Sequence, residues 1–420
     1  MSSPPRPPNR STASKQRKFR WTKQLSKLRR WDIWLVLFLL LLWVAVLLGS
    51  FVWRGSYIFE GNLIVQEMGF TYAGDTERRF LSTIRRLKKL DIEGSQPQPL
   101  VLTGKFSSSD PMLNQKLSQR DRLAIEFPYA DSRLIFTPVK ESELAILEAR
   151  IQPATQINQL KYQAQPGQPA QLSFCLQSVN TPLETCQLRS NLPDTPTSAT
   201  AKPLGTLKLQ LGQQPLALSI ERFNIPELGI KTDISAFQSL DLQFTPSFDE
   251  STLSLLSPTR LFIDLPDFAK AANSEKVNLP QWLWGDFDVQ DVRFSSTETT
   301  EVVTDELPTS TILLGEVQMQ RQSLQLKENQ FLIIASKPGI RKLRYIQIHP
   351  QSPQGLQTLV SGESQGIKVG LYPQFPIQSI EPSWLSKHFS QEAINAILAF
   401  IAALTGVLLP RLFPEPPKQP

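Results

Sequence analysis

The chain reads as a mainly β ectodomain, two β-sandwich-like domains that suggest a duplication, set between two transmembrane helices. Three observations predict this. Ile33 to Trp53 is a run of 21 residues without a charge. Short stretches of alternating apolar and polar residues recur from Leu63 to Leu371. A second apolar run, Ala393 to Leu409, follows the last of them.

Residues 1–14, MSSPPRPPNRSTAS, are rich in Pro and Ser and have no hydrophobic period, so they read as a disordered cytoplasmic tail. Pro4-Pro5-Arg6-Pro7-Pro8 has the look of a polyproline ligand, but a solvated tail explains it more simply. Residues 15–32 form a basic juxtamembrane segment with eight Lys or Arg, and Trp21, Leu25 and Leu28 make one helical stripe on it.

Residues 33–53 form the first predicted span. As a helix they reach about 30 Å, the thickness of a hydrocarbon core. The basic excess before Ile33, against Arg54 alone just after it, orients the N-terminus to the cytoplasm. The run is long for a cleaved signal peptide and lacks an Ala-x-Ala site, so an uncleaved anchor is the expectation.

Charge supports the same division. Ten bases against one acid up to Asp32 give +9, and two against one from Arg411 give +1. Of the +6 total the middle therefore carries −4. That region has no basic excess to draw it to nucleic acid.

Residues 54–190 and 204–385 are the two β domains, with NLPDTPTSATAKP (191–203) as linker. Strand patterns fall at Leu63–Tyr72, Leu100–Phe106, Leu123–Phe127, Arg133–Phe136, Ala170–Leu176, Leu207–Leu211, Arg260–Leu265, Gln330–Ala335 and Gly366–Leu371. Pro- and Gly-containing turns separate several of them. One stretch breaks the pattern. In Thr76–Leu90 the residues Phe80, Ile84 and Leu87 share a helical face, with Asp75 as cap. The helix would expose Arg78, Arg79, Arg85, Arg86, Lys88 and Lys89, a surface for anionic groups or a plain solvated face.

Duplication is suggested by Arg122-Leu-Ala-Ile-Glu-Phe-Pro128 and Arg260-Leu-Phe-Ile-Asp-Leu-Pro266, 138 residues apart. Phe106 and Phe244, and Leu117 and Leu255, match at the same offset. Residues 296–309 read as a long acidic loop. Residues 391–412 form the second predicted span and 413–420 a cytoplasmic tail. Ala45 and Gly49 in the first span, and Asn395 and Ala399 in the second, would let the two helices pack closely.

The chemistry is sparse. The two cysteines, Cys175 and Cys186, flank a hairpin outline and are expected to form a disulfide. Two histidines far apart do not make a zinc site, and no cofactor motif is present. Gly362-Glu-Ser-Gln-Gly366 matches a hydrolase nucleophile motif, but a strand follows it, no Asp lies downstream and His388 is beside the second apolar run. A hairpin turn explains it better. Glu126, Asp264, Asp267, Asp286 and Asp288 could serve glycoside chemistry only by converging, which their spacing does not predict. Trp282 and Trp284 alternate on one strand and read either as core or as a sugar-stacking surface.

The function these features imply is a non-enzymatic binding or scaffold component of a bacterial cell envelope, engaging a partner protein or a glycan. The alternatives are an accessory subunit of a transport or polysaccharide-export complex and, more remotely, a carboxylate-dependent glycan-active enzyme. The predicted topology implies the bilayer as a partner. It places the chain in the inner membrane with 54–392 periplasmic, a thylakoid membrane being the equivalent alternative. Oligomeric state has no sequence signal.

Overall fold

The computed structural model describes residues 34–35, 37–45, 55–140, 142–165, 167–179, 186, 203–231, 239–256, 258–266, 282–296, 308–335, 338–382 and 389–412. The tails at 1–14 and 413–420, the basic segment at 15–32 and nearly all of the linker and acidic loop lie outside these residues. The chain divides into Ser56–Ile380 and a second unit made of Met1–Gly55 with Glu381–Pro420.

Ser56–Ile380 is built from antiparallel strands. The first seven are β1 (Tyr57–Val65), β2 (Glu67–Tyr72), β3 (Arg78–Leu81), β4 (Lys89–Gly94), β5 (Gln96–Ser107), β6 (Arg122–Phe127) and β7 (Arg133–Pro138). Next come β8 (Ala145–Ile151), β9 (Thr155–Gln163), β10 (Gln171–Ser178), β11 (Gly205–Gln210), β12 (Leu216–Glu221), β13 (Asn224–Ile225), β14 (Ile230–Lys231), β15 (Ser239–Pro246), β16 (Glu250–Leu255) and β17 (Thr259–Asp264). The last are β18 (Phe287–Arg293), β19 (Ser295–Ser296), β20 (Thr309–Ser310), β21 (Ile312–Met319), β22 (Gln322–Leu326), β23 (Phe331–Ile334), β24 (Gly339–His349), β25 (Gly355–Ser364), β26 (Ile367–Tyr372) and β27 (Phe375–Ile380).

Eighteen of these strands make one continuous ladder. Its order is β22–β21–β1–β25–β24–β18–β2–β9–β10–β17–β4–β7–β12–β15–β5–β6–β13–β14. β1 pairs with β21 and β25, and β10 with β17. The ladder therefore interleaves strands from both sides of the 191–203 segment. A second sheet runs β16–β11–β8–β3, and a three-stranded one β23–β26–β27.

Alternation explains the layering. β1 alternates buried and non-buried positions along its length, and β11 and β17 do the same. Each lays every second side chain into a shared core, as a half-buried strand must. Leu207 and Leu209 of the smaller sheet join the same core cluster as Leu90, Phe136 and Leu218 of the ladder. Phe80 is a hub of that core. Its ring lies 5.2 Å from Phe174, 6.2 Å from Phe287 and 6.3 Å from Phe70. The pairs with Phe174 and Phe70 are edge-to-face, and contacts of that kind contribute about 0.5–1.5 kcal/mol each beyond burial.

Three expectations need correction. The helix over Thr76–Leu90 does not form. Phe80, Ile84 and Leu87 are all buried, but β3, an isolated Ile84–Ile146 bridge and the start of β4 bury them. The backbone amides of this segment are taken by residues distant in sequence: Ser82 donates to Trp282 O (2.7 Å), Ile84 to Ile146 O (2.8 Å) and Leu87 to Leu144 O (2.9 Å). Arg86, at φ +58°, interrupts any helix.

The duplication is not seen. Ile125 sits in β6, between β5 and β13, whereas Ile263 sits in β17, between β10 and β4. Leu117 ends the short helix Pro111–Leu117, while Leu255 ends a strand. Phe106 and Phe244 are instead cross-strand partners, their rings stacked 5.0 Å apart.

The two spans are not supported either. Among the described residues, no helix is long and apolar enough to cross a membrane. In the first candidate the described helix covers 34–35 and 37–45. The helix Gln391–Leu412 carries Glu392 and Asn395 at its start and Arg411 at its end. The fifteen residues between Asn395 and Arg411 reach about 22 Å. The inner-membrane placement falls with the spans. Ala45 and Ala399 are exposed, and Gly49 lies outside the described residues.

Candidate functional site

Two of the sequence-derived candidates, Arg79 and Trp284, meet at the β3 edge of the smaller sheet. Residues 282–284 run alongside β3. Leu283 bridges Leu81, Ser82 N–H donates to Trp282 O, and Trp284 N–H donates to Phe80 O (2.9 Å). Phe80 is anchored in the aromatic core, so the site rests on a rigid floor. The two tryptophans part company here. Trp282 is 5% exposed and belongs to the core, while Trp284 is 43% exposed.

Arg79 closes on Trp284. Its guanidinium lies 5.6 Å from the indole centroid, within range of a cation–π contact. The same group binds Glu148 of β8 through Nε (3.1 Å) and Nη2 (3.0 Å), both on Oε2. Arg150 Nε lies 3.1 Å from the other oxygen, Oε1. Burial pushes the Glu148 carboxyl upward, but Arg150 and Arg79 outweigh it and hold it below the ordinary carboxylate range. Register extends the row: Arg79 is opposite Arg150, Arg150 opposite Thr206, and Thr206 opposite Ser254. The outer face of this sheet is thus a strip of donors and acceptors with one exposed aromatic at its end.

The rest of the basic run scatters. Arg78 pairs with Asp286 (3.5 Å), which Lys342 also approaches (3.9 Å). Arg85, Arg86 and Lys88 are exposed. Lys89 belongs to the ladder, 3.6 Å from Asp91, which Arg133 grips through both carboxylate oxygens (2.5 and 3.2 Å). Glu148 and Arg150 were missed by sequence reasoning. Their signal was the Glu148-Ala149-Arg150 alternation, which on a strand places both on one face.

Cys175 and Cys186 are joined, and both are buried. Arg260 donates to the Cys186 carbonyl and binds Glu93 at 2.8 Å, tying the disulfide to β17 and β4.

Among the described residues the catalytic candidates lie on separate elements, except Asp286 and Asp288, which both approach Lys342 (3.9 and 3.5 Å). Ser364 is buried, donates to Gly366 O (2.7 Å) and accepts from Gly366 N–H, as a hairpin serine does. His388 and Asp267 lie outside the described residues. Glu126 is on β6 opposite Asn224, Asp264 on β17 accepts from Gln171 (2.8 Å), and Asp288 pairs with Lys342 (3.5 Å). Among the described residues, no three His, Cys, Asp or Glu side chains form a metal-binding group.

Comparison with protein-family models, with curated proteins and with solved structures finds no match for this chain.

Proposed function

We propose that the protein is a non-enzymatic binding protein that holds a glycan on the outer face of the β3–β8–β11–β16 sheet. The observation that carries this reading is Trp284: an indole left 43% exposed beside a core that buries Trp282. A sugar ring presents a flat C–H face that stacks on an indole, and its hydroxyls need fixed donors and acceptors around that stack. Arg79, Glu148, Arg150 and Thr206 supply them, and their mutual ion pairs pre-organise the set, which lowers the ordering cost of binding.

The test uses the full chain on a glycan array, with Trp284→Ala and Arg150→Ala beside the parent. Binding should be lost with Trp284→Ala and weakened with Arg150→Ala while the unfolding transition stays in place. Retained binding in Trp284→Ala, or no glycan bound by the parent, rejects the reading. A second observation favours a protein partner: Leu371, Tyr372, Phe375 and Ile377 are exposed on the β26–β27 hairpin. A glycan-negative array with a co-purifying protein lost on Phe375→Ser would support that alternative.

A further inference from the structure

The far edge of the same sheet carries a second feature. β16 pairs with β11, and among the described residues it has no partner on its other side. Strand edges left open are normally blunted by Lys, Pro or a bulge. β16 reads Glu-Ser-Thr-Leu-Ser-Leu, with one charge at its first position and no Pro.

Hydrogen bonding fixes which groups face outward. Leu255 O is taken by Leu204 N–H and Asp249 O by Leu211 N–H, both on the β11 side. Antiparallel pairing alternates every residue. The N–H and C=O groups of Glu250, Thr252 and Ser254 therefore point away from β11, toward the open edge.

That edge faces a slot. Its volume is about 280 Å³, with residues 251–256 along one side and Gln96, Gln98 and Leu100 of β5 along the other. Ile92, Phe127 and Leu134 also line it, and all three are buried. The β5 wall is open for a reason. Gln96 pairs with Phe127 and Leu100 with Ile125, so four steps on β5 match two on β6. Pro97 and Pro99 lie within the bulge and have no N–H to pair. None of the fifteen lining residues is ionisable.

We propose that this slot binds an extended peptide segment, which adds as a strand to the free edge of β16 and places uncharged, apolar side chains over Ile92, Phe127 and Leu134. A row of alternating N–H and C=O groups is matched best by another extended main chain, the basis of recognition by strand addition. The lining sets the side-chain chemistry. A charge inserted there would lose its hydration with no counter-charge to meet it, so the segment that fits is uncharged where it enters.

The test is an array of acetylated, amidated hexapeptides probed with the full chain. Bound peptides should be uncharged with apolar residues at alternate positions. Methylation of their main-chain nitrogens should weaken binding by about tenfold or more, since each lost hydrogen bond leaves its partner unsatisfied. Thr252→Pro removes one outward N–H and leaves the β11 side intact. It should weaken binding by a similar factor without shifting the unfolding midpoint. Gln98→Glu puts a carboxylate on the wall that a bound segment would cover and strip of water, so it should weaken binding, which keeps the test alive if the proline variant folds poorly. The proposal is overturned if no peptide binds, if N-methylated peptides bind equally well, or if Gln98→Glu leaves binding unchanged.

Discussion

Replacing Cys175 and Cys186 together by Ala should destabilise Ser56–Ile380 by about 3 kcal/mol. The two residues are 11 apart in sequence. In the chain-entropy model a loop of that size restricts the unfolded chain by about 9 cal/mol/K, or roughly 2.8 kcal/mol at 25 °C. That is about a hundredfold in the folded-to-unfolded ratio. The structure adds a second contribution on the folded side. Arg260 donates to the Cys186 carbonyl while pairing with Glu93, so the cross-linked end of the loop is held to β17 and β4. Guanidinium unfolding, followed by tryptophan fluorescence on parent and double variant, measures the difference. Arg260→Met in the disulfide-bonded protein separates the clamp from the covalent tether. A loss below about 1 kcal/mol for the Cys175→Ala/Cys186→Ala protein would show that the unfolded chain is already constrained there and would refute the entropy reasoning.

Trp282→Ala should cost about 3–5 kcal/mol because it empties a core position. Trp284→Ala should stay within about 0.5 kcal/mol; thermal unfolding of the two variants checks the contrast, and equal losses would contradict it. Burial pushes the Glu148 carboxyl upward, but Arg150 and Arg79 outweigh it and hold the folded carboxyl below its ordinary range. Its contribution to stability is therefore present above the unfolded value and is lost as pH falls through the folded one. Between pH 6 and pH 3, Glu148→Gln should lose less of its melting temperature than the parent does, and a steeper acid loss would reverse the assignment. Gly285→Ala should destabilise by about 2 kcal/mol or more, since a Cβ there would stand 2.1 Å from Arg344 O and 2.5 Å from Tyr345 Cα. Chemical denaturation reads it, and a neutral substitution would mean that the 285–345 approach is loose.

Most of the strands were legible because a half-buried strand writes its own period. Leu123–Phe127 and Arg260–Leu265 alternate in sequence, and β6 and β17 bury every second residue there. Their pairing was not legible. Phe59 of β1 is opposite Met319 and Gly362, more than 250 residues away, and nothing local in YIFEGNLIV encodes that choice. The misread helix shows the limit from the other side. Phe80, Ile84 and Leu87 satisfy a 3.6-residue period and are buried, but spacing alone does not say where the backbone amides go. Here they go to the carbonyls of residues 144, 146 and 282.

The same distinction decides the site. Trp282 and Trp284 share a period of two, which on a regular strand gives both one environment. The segment makes only a single bridge, Leu81 to Leu283, and leaves the sheet at Gly285, which is pressed against Arg344. Alternation is not enforced over so short a contact. Trp282 turns into the core and Trp284 is left beside Arg79. Arg79 was legible as one member of a basic run, and it becomes part of a site because β3 sets it opposite Arg150 while Glu148 bridges the two. The arrangement of charges on this face is thus a product of register. A one-residue slip of β3 against β8 would turn Arg79 inward and separate the guanidinium from both Glu148 and the indole.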